Sequence, residues 1–280
     1  MNPQFGLHVS IAGSLDQAVD RALEVGATTF QMFTRNPNQW KYAPIPGETA
    51  SAFREKRKKG GFERVTVHMP YLPNLASSEP GTRRPSRGSL DAEAARCDEL
   101  GADYLVIHLG SHLGAGSAAG IRNVTEAVNG AAARSSDVTI LLENMAGQKN
   151  CVGARFEELR MILDGVKEGG RAGVCLDTCH AFAAGFDLAG KEAVERTLGL
   201  FDEIVGYDRL KVIHLNDSKG ALGSHLDRHE NVGRGRIGPK GMKAIFAYPG
   251  VLERPLIMET PFADDKAAAR SLAYVRKLSG

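Results

Sequence analysis

Hydrophobic positions along the chain gather into eight short runs rich in Val, Ile, Leu and aromatic residues, which predict buried strands. They are "FGLHVS" (5–10), "TTFQMF" (28–33), "RVTVHM" (64–69), "YLVIHLG" (104–110), "VTILLEN" (138–144), "AGVCLDT" (172–178), "LKVIHLND" (210–217) and "PLIMET" (255–260). Between them, stretches such as "LDQAVDRALEVGA" and "DAEAARCDELGA" place apolar residues at helical spacing. Gly26, Gly60, Gly61, Gly101, Gly169, Gly170, Gly206 and Gly250 stand just ahead of strands, where a helix C-terminus favours a left-handed residue. Strand, helix, glycine, strand, repeated eight times in 280 residues, gives about 35 residues per unit. That period predicts an eightfold βα barrel, a TIM barrel, rather than an open doubly wound sheet. No Pro- or Ser-rich linker interrupts it, so residues 1–280 read as one domain.

Polar residues sit at one phase of this repeat. Three strands finish in His ("VTVH" at His68, "LVIH" at His108, "KVIH" at His214), two in Glu ("ILLE" at Glu143, "LIME" at Glu259) and one in Asp ("VCLD" at Asp177). Successive intervals are 40, 35, 34, 37 and 45 residues. In a parallel barrel all these ends converge on one face, the face on which barrel enzymes build their sites. A single His at a strand end is ordinarily a hydrogen-bonded structural residue. Six such groups together are different, because three carboxylates packed without a cation repel one another and are driven toward protonation. Divalent metal relieves that cost, and His with carboxylate is a zinc-type donor set. His180, three residues after Asp177, and Asp227 with His229 in "HLDRHE" add donors on the same face. Nine candidates exceed what one ion uses, so two or three metals are expected.

Other features are weaker. Cys175 lies two residues before Asp177 and so points into the barrel one layer deeper, as core material. Cys179 has no second thiol pair with which to build a thiolate zinc site. "GRGRIG" (233–238) fits the dinucleotide-loop spelling G-x-G-x-x-G, but "DRHENV" rather than a strand precedes it. It reads as a flexible rim loop carrying Arg234 and Arg236. The basic run "REKRKK" (54–59) ends a helix, where cations suit the dipole, on the face opposite the site.

A net charge of +2 means that affinity for a polyanion must come from a local patch. Candidate cations on the site face are Arg35, Arg83, Arg84, Arg87, Lys149, Arg234 and Arg236. The opening residues show no secretory pattern, and no run approaches the roughly 18 apolar residues of a membrane span. Four cysteines in such a chain suit a reducing compartment, so a cytoplasmic protein is expected.

The segments "LLENMAGQ", "GVCLDTCHAFAAGFDL", "HLNDS" and "DRHENVGRGRIG" resemble the signature segments of endonuclease IV, the zinc-dependent apurinic/apyrimidinic endonuclease family. The resemblance runs nearly end to end. It implies a barrel with three zinc ions: His68, His108 and Glu143 on one, Glu143 bridging to a second with Asp177, His214 and Glu259, and His180, Asp227 and His229 on the third. His8 and His112 match no family ligand and read as support or packing. The implied reaction is hydrolysis of the phosphodiester 5′ to an abasic site in duplex DNA, with Glu143 at the catalytic centre and cleaning of blocked 3′ ends at the same site. Asn36, Gln39 and Trp40 in "TRNPNQWKY", with Tyr71 and Leu72 in "MPYLPNL", are the implied DNA contacts. Asn38 stands where many family members carry a basic residue. A monomer is expected.

Two other readings compete. A sugar isomerase or epimerase on a similar barrel uses one or two Mg²⁺ or Mn²⁺ ions and oxygen-rich ligands, against which five His count. A barrel that binds damaged DNA without cutting it would leave a full ligand set idle.

Overall fold

The computed structural model describes residues 2–167 and 171–280. Its strands, in chain order, are β1 (Phe5–Leu7), β2 (Phe30–Met32), β3 (Val65–His68), β4 (Tyr104–Ile107), β5 (Thr139–Glu143), β6 (Ala172–Asp177), β7 (Leu210–His214), β8 (Asp217–Ser218), β9 (His229–Glu230) and β10 (Leu256–Met258). Eight form one parallel sheet in the order β1-β10-β7-β6-β5-β4-β3-β2. A parallel bridge between His8 and Gln31 joins its two outer strands and closes the barrel. The remaining two, β8 and β9, pair antiparallel as a small ribbon above β7. Each expected run contains its barrel strand. The trailing residues leave the ladder early, because there the chain turns outward at the barrel mouth.

The helices are α1 (Gln17–Glu24), α2 (Gly47–Lys59), α3 (Pro80–Leu100), α4 (Ser117–Ala132), α5 (Phe156–Gly165), α6 (Thr178–Ala184), α7 (Lys191–Ile204), α8 (Gly238–Ala247) and α9 (Asp265–Ser279). All but the short α6, which is buried nearly all round, pack one apolar stripe inward; α1, for example, buries Ala18, Val19 and Ala22 at helical spacing. The short α6 is an insertion between β6 and α7. Five of the glycines ahead of strands (Gly26, Gly61, Gly101, Gly206 and Gly250) have φ between 68° and 91°. Gly60 instead stays right-handed as the helix cap, and Gly169 and Gly170 lie outside the described residues. Among the described residues no helix is long and apolar enough to cross a membrane.

Alternation along the strands sets the position of the site. Tyr104, Val106, Leu141, Cys175, Val212 and Ile257 form an apolar cluster inside the barrel, separate from the larger core between sheet and helices. Two residues beyond Val106, Leu141, Cys175, Val212 and Ile257 stand His108, Glu143, Asp177, His214 and Glu259. The same interior phase therefore changes from apolar to ionisable in a single step. Cys175 sits in the lower layer, where burial pushes its thiol up to about 12.

The glycine-rich segment 233–238 is held rather than flexible. Backbone N–H groups of Ser218 (2.8 Å), Gly235 (3.0 Å), Ile237 (2.9 Å) and Gly238 (3.1 Å) donate to the fully buried Asp217 carboxylate. A Cβ on Gly235 would collide with the Ser218 carbonyl and with Asp217 itself. The loop thus does make an anion cradle, for the chain's own carboxylate. The basic run 54–59 is likewise occupied at the opposite end of the barrel. Lys56 pairs with Asp16 (2.7 Å) and Asp20 (2.5 Å), and Arg57 with Asp103 (2.6 Å).

Gly6 shows how tightly the closure is drawn: a Cβ there would run into the Thr29 carbonyl across the β1–β2 seam. Backbone cannot move aside as a flexible side chain does, so Gly6→Ala should cost about 3 kcal/mol, at the upper end for overpacking. Calorimetry should show a melting temperature lowered by roughly 6–12 °C. An unchanged melting point would mean that the seam is looser than described.

Candidate metal centre

Glu143 ends β5 at the centre of the barrel mouth and is fully buried. Its two carboxylate oxygens face different partners. Oε2 lies 3.2 Å from His68 Nε2 and 2.9 Å from His108 Nε2. Oε1 lies 2.9 Å from His214 Nδ1 and 3.4 Å from His180 Nδ1. Around it the donors fall into three groups whose ligand atoms lie within 4.8 Å of one another: His68, His108 and Glu143; Glu143, Asp177, His214 and Glu259; and His180, Asp227 and His229. A fourth combination, Asp177 with Cys179 and His229, meets the same criterion. Burial pushes the Cys179 thiol up, so it stays protonated.

Asp177 explains the spacing that drew attention in the sequence. One oxygen, Oδ1, accepts from the His180 backbone N–H (2.7 Å) and caps α6. The other, Oδ2, faces His214 Nδ1 (3.9 Å) and His229 Nε2 (3.6 Å). The cap also fixes His180 one turn above the strand end, pointing back into the mouth. His229 arrives from the far side on the β8–β9 ribbon, with its Nε2 3.4 Å from Asp227 Oδ1. Asp227 Oδ1 is also 3.2 Å from His180 Nε2.

Several imidazoles are aimed by their second nitrogen. His68 Nδ1 donates to the Met69 carbonyl (2.7 Å) and His180 Nδ1 to the Asn144 carbonyl (2.9 Å). A carbonyl only accepts, so in both rings Nδ1 keeps a proton and Nε2 is the nitrogen turned to the cluster. His229 Nε2 is buried without a hydrogen-bond partner. Such orphaned nitrogens, facing carboxylate oxygens at the mouth of a barrel, are what a bound cation would satisfy.

The charges point the same way. Burial pushes the Glu143 carboxyl up, but His108 and His214 outweigh it and hold it well below the usual carboxylate range. Glu259 behaves alike, with His214 the main opposing charge. Burial would lower His180, yet Asp177 and Asp227 hold it well above its ordinary value. Protons on imidazoles thus stand in for cations, and metal binding would displace them. His8 differs: burial takes it down to about 4, so it is neutral. Its ring packs tilted against that of Phe33, with centroids 4.4 Å apart. His112 accepts from the Gly114 and Gly116 backbone N–H groups and shapes its own loop.

The aromatic rim is unevenly placed. Tyr71 is 59% exposed, with its ring 6.2 Å from that of His68 and 6.5 Å from that of His108, at the edge of the cluster. Leu72 beside it and Trp40 on the loop after β2 are also exposed. Gln39 and Asn36 are exposed too, but the Asn36 side chain accepts from the Asn38 backbone N–H (3.0 Å) and forms a local turn. Arg35 is not a free cation of this face. It is 7% exposed and binds Glu93 (2.5 Å), Ser89 (2.6 Å) and the carbonyls of Gln39 (2.8 Å) and Trp40 (3.2 Å). Its role is to anchor the loop that carries Asn36, Gln39 and Trp40. Arg87 pairs with Glu126 (2.5 Å), whereas Arg84, Lys149, Arg234 and Arg236 are exposed.

Three polar residues that the sequence reading passed over hold the cluster. Asn216 Nδ2 donates to Asp177 Oδ2 (2.7 Å) and Glu259 Oε2 (3.2 Å), and its Oδ1 accepts from the Glu259 backbone N–H (2.9 Å). Asn144 Oδ1 accepts from the Asp177 backbone N–H (2.7 Å). Gln31 is the third. Its signal was a polar residue in the middle of a buried run, "TTFQMF".

Comparison with known proteins agrees with this geometry. The family model described as xylose isomerase-like TIM barrel matches residues 19–278. The probable endonuclease 4 of Methanoculleus marisnigri is 49% identical over 277 residues, covering 98% of each chain. The crystal structure of endonuclease IV from Thermus thermophilus superposes with a TM-score of 0.88 at 36% identity, covering 99% of this chain and 98% of that one. A D-tagatose 3-epimerase-like protein superposes with a TM-score of 0.69 at 18% identity, covering 98% and 96%, and shares the fold alone. With nearly half its residues shared over almost its whole length, the chain belongs to the endonuclease IV family of xylose isomerase-like TIM barrels.

Proposed function

We propose that the chain is a zinc-dependent hydrolase that cuts duplex DNA 5′ to apurinic/apyrimidinic sites, leaving a 3′-hydroxyl and a 5′-deoxyribose phosphate, and that also removes 3′-blocking groups. Family membership supports a nuclease. The observation that carries the metal reading is Glu143, whose two oxygens are shared between two groups of donors. Five imidazoles among four carboxylates suit zinc better than the oxygen-rich sites of Mg²⁺ or Mn²⁺. In this proposal His68, His108 and Glu143 hold one ion; Glu143, Asp177, His214 and Glu259 the second; His180, Asp227 and His229 the third. Bound zinc supplies Lewis acidity, neutralising the phosphate and lowering the pKa of water toward neutrality.

The chain's own groups place the reacting atoms. Water adds across the P–O3′ bond, and O3′ leaves as the hydroxyl. Glu143 fixes the spacing of the two donor groups between which the phosphate sits. Tyr71 and Leu72 stand exposed at the cluster's edge, where they would hold the stack open while an extrahelical nucleotide enters. Asn36, Gln39 and Trp40 contact the duplex from a loop that the buried Arg35–Glu93 pair keeps in place. A monomer acting in the cytoplasm completes the proposal, supported by four unpaired cysteines.

Purified protein should nick a duplex carrying one tetrahydrofuran abasic analogue and leave free ketoses unchanged. Ketose–aldose or epimer conversion without nicking would favour the sugar-isomerase reading instead. In single-turnover assays Glu143→Gln should lose about 10³-fold or more, because it keeps the shape but removes the shared negative charge. Its affinity for abasic duplex should stay within about tenfold, since phosphate and rim contacts come from other loops. Near-wild-type nicking by this variant would remove Glu143 from the centre of the mechanism.

Salt dependence tests which face meets DNA. Replacing Arg234 and Arg236 with Ala should reduce the slope of log affinity against log salt by about 2. Replacing Arg54, Lys56 and Lys58 should leave that slope unchanged. If the second set weakened binding more than the first, the duplex would lie on the other end of the barrel.

A further inference from the structure

Seven strands bring a titratable side chain to the mouth of the barrel: His8, His68, His108, Glu143, Asp177, His214 and Glu259. The eighth, β2, brings Gln31, which is fully buried and bonds to three of them. Its Nε2 donates to Glu259 Oε1 (2.7 Å) and faces His8 Nδ1 (3.0 Å), and its Oε1 lies 2.8 Å from His214 Nε2. A carboxylate only accepts, which fixes the amide with its NH₂ on the Glu259 side and its oxygen toward His214. His214 must then carry a proton on Nε2, which makes Nδ1, facing Glu143 (2.9 Å) and Glu259 (3.1 Å), the nitrogen that a metal would take. One amide therefore fixes which nitrogen of an imidazole and which oxygen of a carboxylate are left for the same donor group. Asn216 holds the other oxygen of Glu259 from the opposite side.

We propose that Gln31 is a positioning residue for the metal centre, holding His214 and Glu259 in the state that binds the second ion. The inference rests on the zinc reading above and adds to it a residue outside the nine ligand candidates. Gln31 touches no reacting atom. It acts through His214 and Glu259, as outer partners of metal ligands do, where their loss typically weakens metal binding by about 10- to 100-fold.

The test uses Gln31→Met, which keeps the bulk of the side chain, and Gln31→Ala, which adds none. Zinc transfer from the loaded protein to a chromogenic chelator is followed in time, and the melting temperature of the metal-free protein is measured separately. The wild type should release its ions slowly. Each variant should release one of three about 10- to 100-fold faster, with metal-free melting little changed and nicking reduced in kcat rather than KM. A merely structural role would do the reverse, lowering metal-free melting while leaving transfer unchanged, and that result would overturn the proposal. Wild-type protein that takes up no zinc would remove the zinc reading itself, and this inference with it.

Discussion

A carboxylate buried at the centre of a barrel is costly unless something positive stands beside it, and the rest of the site follows from that constraint. Glu143 has no exposed surface, and Asp177 from the adjacent β6 and Glu259 from beyond the end of β10 crowd it. Without metal, raised imidazole pKa values supply the balancing protons. The fold creates the problem and the means to solve it together. Parallel strands deliver every side chain of one phase to one level, so that a ring of donors forms where a ring of apolar residues ends.

Assembling donors is not enough, since imidazoles and carboxylates can rotate away. Around this site the second nitrogen or oxygen of most groups is already engaged, by the Met69 and Asn144 carbonyls, by the α6 cap, and by Asn216. The same economy extends to the rim. A buried Arg35–Glu93 pair holds one loop by its carbonyls, and a buried Asp217 holds another by its N–H groups. Charged residues that the sequence offers as DNA contacts are thus of two kinds. Arg35 is consumed inside the protein, while Arg234 and Arg236 are exposed.

What the sequence made legible was periodic. Eight apolar runs at a steady interval specify the barrel, and ionisable residues at a shared phase specify its mouth, because both depend only on spacing along the chain. The contacts of Gln31 with Glu259 and His214 span 228 and 183 residues, and no local pattern announces them. The hold of Asp217 on the 233–238 loop escapes the sequence for a related reason, because its N–H partners there stand 18 to 21 residues away. Spacing singles out Asp177 and His180, and the structure brings both to the barrel mouth, yet that spacing is also what a helix cap requires. The two demands coincide in one residue.

In the proposed centre Glu143 stands between two donor groups of a three-ion site. Elemental analysis of purified protein, dialysed without chelator and normalised to chain concentration, tests it most directly. It should give about three zinc ions per chain in the wild type and about two in His229→Ala, whose donor group does not include Glu143. A single ion per chain, or magnesium alone, would contradict it.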